Sequence, residues 1–250
     1  MLRVARGAAR FLLGVVLTQS PPGAVLLAGW GQALMRREAT RRWAIATGGP
    51  VPAGCADWPA FVVAEESVGP GFRTWPRRLL GGAWRNLLRG VVVLACTYTV
   101  TLPGVVLMAF SWRYGWDNSF NKGYEQAHIG PVLGLGGVFL FMIAMLYVPL
   151  AQAQLAVDGR ASAFFRWRIV CAALCSRPWG SATLAIAYFL AALPINLFFV
   201  AVLFRFNAHA TADLSDAEIL KALNGHYLMA GMMGLPIFVW VRRRAARAYA

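Results

Sequence analysis

Charged residues are missing from five long stretches of the chain: 11–35, 90–112, 126–157, 178–204 and 222–241. A bilayer's hydrocarbon core is about 30 Å thick, and a helix rising about 1.5 Å per residue needs about 20 apolar residues to cross it. The last four stretches meet that length and are expected to be spanning helices. In lipid every backbone donor and acceptor must be paired within the protein. These runs lack the short alternation of barrel strands, so the expected fold is an all-α membrane protein. Its four transmembrane helices form one bundle over residues 90–241.

The first stretch reads differently. Arg3, Arg6 and Arg10 precede an apolar run over 11–17, as in a secretory leader. No small-x-small site follows cleanly and apolar character resumes at once, so removal is not expected. The interruption is Thr18-Gln19-Ser20-Pro21-Pro22-Gly23. Serine followed by proline suits a helix N-cap and first turn, which puts a new helix start near Ser20. From there to Met35 is short for a crossing, and both flanks are basic. Residues 1–43 are therefore expected to form a re-entrant or interfacial hairpin with both ends on one side; the alternative is a fifth, kinked span.

Between the hairpin and the bundle, residues 44–89 divide into two parts. The Gly- and Pro-rich 47–60 reads as a loop. Phe72, Trp75, Leu79, Leu80, Trp84, Leu87 and Leu88 then recur near helical spacing, interleaved with Arg73, Arg77, Arg78 and Arg85. Such apolar and basic faces suit an amphipathic helix lying in the interface before the chain turns into the membrane at Arg89, or one packed on the bundle. Residues 162–176 form a second such segment, with Phe164, Trp167, Cys171 and Leu174 on one face and Arg166 and Arg168 leaning away. On the far side, Trp112, Tyr114, Trp116, Phe120 and Tyr124 form an aromatic belt at head-group level, and Asp117-Asn118-Ser119 invites a local turn or helix cap.

Composition agrees: 59% of the 250 residues are hydrophobic and 14% charged, about half the charge of a soluble domain. The net charge of +14 suggests nucleic acid until the charges are placed. Segments 1–10, 36–89, 158–177 and 242–250 carry +3, +5, +3 and +4, whereas 113–125 and 205–221 carry 0 and −1. Short Lys/Arg-rich segments stay cytoplasmic. All four spans then alternate consistently in a bacterial-type inner membrane, with the basic tail 242–250 inside. Arginines at that leaflet suit anionic head groups, and nucleic acid is not an expected partner.

The second half of the bundle echoes the first. Residues 90–103 end in Leu-Pro-Gly and 180–194 in Leu-Pro-Ile, and each then runs about ten residues to Arg113 or Arg205. Each outer loop is followed by a returning, proline-containing helix. Two parallel helical hairpins, or chance likeness between apolar helices, explain this. Each span thus carries a proline: Pro103, Pro149, Pro194 and Pro236. A proline frees a backbone carbonyl, so these positions, with Thr101 and Asn196, are the candidate hinge or path for a neutral solute. The plainer reading is that proline is common in membrane helices and Thr and Asn bond between them.

No Asp, Glu, Lys or Arg lies deep in the four spans, which argues against an ion-coupled pump. His128, His209 and His226 fall on the expected outer side with Glu125, Asp213, Asp216 and Glu218 nearby. They are weak candidates for a metal site, because nothing in the spacing makes them converge. Cys55, Cys96, Cys171 and Cys175 read as free thiols. Gly130, Gly134, Gly136, Gly137, Gly231 and Gly234 offer small surfaces for close helix approach. No Gly-x-Ser-x-Gly, His-Glu-x-x-His or phosphate-cradling loop is present, and no cofactor is expected. The leading expectation is a non-enzymatic subunit, assembly factor or lipid-interacting protein, able to pair with a membrane partner or a second copy. A channel or facilitator for a small neutral solute is the alternative.

Overall fold

A computed structural model describes residues 2–49, 75–120, 129–188, 190 and 215–250. They form eight helices and no strand: α1 (Leu2–Thr18), α2 (Pro21–Ala46), α3 (Trp75–Phe120), α4 (Ile129–Asp158), α5 (Ala161–Phe164), α6 (Trp167–Ser176), α7 (Pro178–Tyr188) and α8 (Asp216–Tyr249). The described residues are all-α, as expected. Two helices are long and apolar enough to cross a membrane, α4 and the Leu80–Tyr114 part of α3. A third candidate among the described residues is α6 with α7, bent by 103° at their junction, if the two count as one span. Helix α8 has 34 residues but lacks the apolarity, because Asn224, His226 and Gly225, Gly231 and Gly234 dilute its middle. Most of the expected span over 178–204, with Pro194 and Asn196, lies outside the described residues.

Helices α3 and α4 pack antiparallel, and glycine sets their approach. A Cβ on Gly137 would lie 2.8 Å from both the Gly104 carbonyl oxygen and the Met108 nitrogen. Further along, the Ser111 hydroxyl donates to the Gly130 carbonyl at 2.6 Å. Gly29 and Gly90 let α2 lie as closely on α3, for a Cβ on Gly90 would overlap the Val25 carbonyl. Thr97, Thr99 and Thr101 of α3 donate to the carbonyls of Val93, Ala95 and Thr97 one turn back, so their hydroxyls are satisfied within the helix. Helix α4 stops where Gly159, at φ +79°, returns its N–H to the Leu155 carbonyl; that left-handed backbone favours glycine.

Helices α1 and α2 meet at the expected helix start, Ser20. Ser20 caps α2, accepting from the Gly23 N–H at 3.3 Å, while Pro21 and Pro22 occupy a turn that needs no donors. Helix α2 continues past Met35 to Ala46. It runs parallel to α8: Gln19 donates to the Tyr227 carbonyl, Trp30 packs on Phe238, and Trp43 meets Tyr249. The α1–α2 turn therefore lies partway along α8, beside Tyr227, and α2 runs from there to the end of α8.

Three local expectations need correction. The helix expected in the interface before Arg89 is continuous with the span behind it, and α3 also runs through Asp117-Asn118-Ser119 to Phe120. Gly90 alone does not break it, because its bare backbone is held against α2. Residues 162–176 are not one amphipathic helix: the chain breaks at Phe165 and Arg166, which resets the face. Ala163, Phe164 and Val170 are the buried side chains, whereas Trp167 and Cys171 are exposed. His226, a weak metal candidate, is buried within α8, ten residues after that helix begins at Asp216.

Candidate functional site

The core is concentrated at one end of the bundle. In α4 the buried run is Tyr147 to Ala156, whereas Val132, Leu135, Phe139 and Ile143 in its first half are exposed. Leu102, Val105, Val106 and Phe110 of α3 are exposed beside them. The packed end is also the basic end. It gathers Arg36 of α2, Arg89 of α3, Arg166 beside the end of α4, and Arg242 and Arg247 of α8. Arginines distant in sequence thus converge on one end.

Beneath them lies a buried polar layer. Gln152 of α4 donates through Nε2 to the Thr97 hydroxyl of α3 at 2.8 Å. Its Oε1 accepts from Nη1 of Arg242. The same guanidinium stands 5.0 Å over the Phe238 ring and 3.9 Å from the Met35 sulfur, and the Tyr188 hydroxyl of α7 faces it. One arginine thus ties α8 to α2 and α4, and through Gln152 to α3. Glu38 of α2, only 6% exposed, receives the Arg247 Nε of α8 at 2.6 Å. The Asp158–Arg166 pair, at 2.7 Å, fixes the exit of α4. Burial raises the Tyr249 hydroxyl above its ordinary pKa; Asp158 adds to the rise and Arg166 opposes it. The Tyr147 hydroxyl donates to the Phe164 carbonyl, and its ring stacks on Trp167 at 4.1 Å.

Two cavities adjoin this framework. One, of about 220 Å³, opens at the basic end between α2, α3 and the close of α4; Gln32, Arg36 and Arg89 provide its polar lining. The other, of about 450 Å³, lies at the α1–α2 turn beside α8, lined by Thr18, Gln19, Ser20, Tyr227 and Gly231.

Of the residues singled out as a solute path or hinge, Thr101 is buried in α3, Pro149 is buried in the core, and Pro103 and Pro236 are exposed. None of these four lines either cavity. Pro194, Asn196, His128 and His209 lie outside the described residues. Among the described residues no three His, Cys, Asp or Glu side chains gather where a metal could sit. The residues that converge were not singled out: Gln32, Glu38, Gln152, Arg242 and Arg247. Their signal was two amides, Gln152 and Gln154, in an otherwise apolar helix. No family model, no curated protein and no solved structure matches the chain, so its functional reading stands on its own geometry.

Proposed function

We propose that this is a polytopic inner-membrane protein that crosses four times, through α3, α4, residues 178–204 and α8, with its arginine-rich end and C-terminus at the cytoplasmic face. It acts through contacts rather than catalysis, as a subunit or assembly factor for a membrane partner or on lipids. The observation that carries this reading is the split character of the α3–α4 hairpin. One half is locked by Thr97, Gln152 and Arg242, and the other presents Leu102, Phe110, Leu135 and Phe139 outward. Apolar surface of that extent calls for lipid or another membrane helix. Thr97, Gln152 and Arg242 spend hydrogen bonds on one another, which suits a scaffold better than a reaction centre. Purification in a gentle detergent is expected to return the chain with a stoichiometric membrane protein, a second copy or retained lipid. A lone chain stripped of all three contradicts the reading.

A second reading, a facilitator for a small neutral solute, draws support from the 450 Å³ cavity at the hairpin turn, where polar Thr18, Gln19 and Ser20 sit against α8. Irregular backbone at depth is tolerated where it lines a cavity. Liposome flux compared between wild type and Gln19→Leu, which removes a polar group from that lining, tests it; equal leak rates end it.

A further inference from the structure

The smaller cavity carries more chemistry than packing requires. Arg36 and Arg89 reach it from different helices, and neither has an ion-pair partner among the described residues. Gln32 also lines it, is 4% exposed, and leaves its Oε1 without a hydrogen bond. Among the described residues that side chain makes one weak bond, from Nε2 to the Met35 sulfur at 4.0 Å. A buried carbonyl oxygen left without a donor is costly, so its survival points to a ligand that brings one. Leu88, Val92 and Leu155 make the remaining wall apolar, and Leu88 and Val92 lead outward along the exposed side of α3.

We infer that this cavity holds the head group of an anionic glycerophospholipid that bears a hydroxyl. The inference rests on the proposal that the basic end lies at head-group level. The two guanidinium groups take the phosphodiester, whose oxygens match their fork geometry. Gln32 Oε1 accepts from the head-group hydroxyl, and an acyl chain leaves over Val92. A bare phosphate monoester, ionised, supplies no such donor. An ammonium head group would supply one, but beside two arginines it is repelled. The apolar wall selects a lipid over a soluble phosphate ester of the same chemistry.

Native mass spectrometry of the full chain in neutral detergent, with defined lipids added, tests the assignment. Phosphatidylglycerol is expected to be retained about tenfold over phosphatidylcholine, and Arg36→Gln or Arg89→Gln each to remove about that factor, the usual weight of a charged hydrogen bond. Gln32→Leu is expected to abolish the preference for phosphatidylglycerol over phosphatidic acid while keeping that over phosphatidylcholine. Should a glutamine variant fail to fold by thermal melting, Arg36→Lys and Arg89→Lys, which keep charge but lose the fork, are expected to show a partial loss. Equal retention of phosphatidylglycerol and phosphatidylcholine by wild type overturns the assignment. So does unchanged retention by the arginine variants, or displacement of the lipid by equimolar glycerol 3-phosphate. Alkaline carbonate extraction separates the two levels of the claim. Release of the chain from membranes defeats the membrane reading itself, whereas firm retention without lipid selectivity defeats only the cavity.

Discussion

Glu38 and Arg247, 209 positions apart in sequence, meet with Oε1 2.6 Å from Nε and lock the end of α2 to the end of α8. The pair is lopsided: the Glu38 side chain is 8% exposed and that of Arg247 is 41%. Removing Arg247 strands a buried carboxylate, whereas removing the charge of Glu38 leaves an arginine that water can reach. Arg247→Met is therefore expected to destabilise by about 2 kcal/mol after allowance for solvent screening. Glu38→Gln is expected to cost about 1 kcal/mol. Thermal unfolding in detergent measures both, and the reverse order would contradict the pairing.

Gln152 is the hub of the buried layer, since it donates to Thr97 and accepts from Arg242. Bonds between membrane helices contribute about 0.6–1.7 kcal/mol each, so Gln152→Leu is expected to lose about twice as much as Thr97→Val. A double-mutant cycle between the two positions should return a coupling within that single-bond range. Additive effects would mean the 2.8 Å contact contributes nothing.

Gly137 and Gly136 are neighbours with opposite expectations. A methyl at Gly137 meets backbone of α3 at 2.8 Å, and backbone cannot swing aside; at Gly136 the nearest atom is the end of Leu107, 4.0 Å away. Gly137→Ala is expected to cost about 2 kcal/mol or more by forcing the helices apart. Gly136→Ala should be neutral or gain up to about 1 kcal/mol from helix propensity. Comparing their melting temperatures checks the close approach directly.

At the start of α8, Glu218 accepts from the Ser215 N–H at 2.9 Å and its hydroxyl at 2.7 Å, and these bonds hold its carboxyl below the ordinary value. A depressed folded pKa means the first turn gains its stabilisation above the unfolded value and loses it as pH falls through the folded one. Amide hydrogen exchange over Asp216–Lys221 should therefore lose protection on acidification, beyond the intrinsic change in exchange rate. In Ser215→Ala that acid-dependent loss should be much smaller.

Much of the helical framework was legible because its causes are local. Ser20-Pro21 marks a helix start by capping chemistry, and the uncharged run 126–157 announces the length of α4. The polar layer was not, because a search for intramembrane ionisable groups passes over Gln152 and Gln32, and Glu38 reads as a loop residue until α2 is seen to continue. The join at Arg89 was misread because an arginine-rich amphipathic segment and the first turns of a span have the same pattern. Only the packing of Gly90 on α2 distinguishes them.

The central claim is that the arginine-rich end faces the cytoplasm while the start of α8 faces out. Impermeant thiol labelling of intact cells, in a background with the native cysteines replaced by serine, tests it most directly. Ala217→Cys is expected to label at once, and a restored Cys171 only after the membrane is opened. Labelling of Cys171 from outside, with Ala217→Cys protected, would contradict the orientation and remove the physical basis for a lipid head group at Arg36 and Arg89.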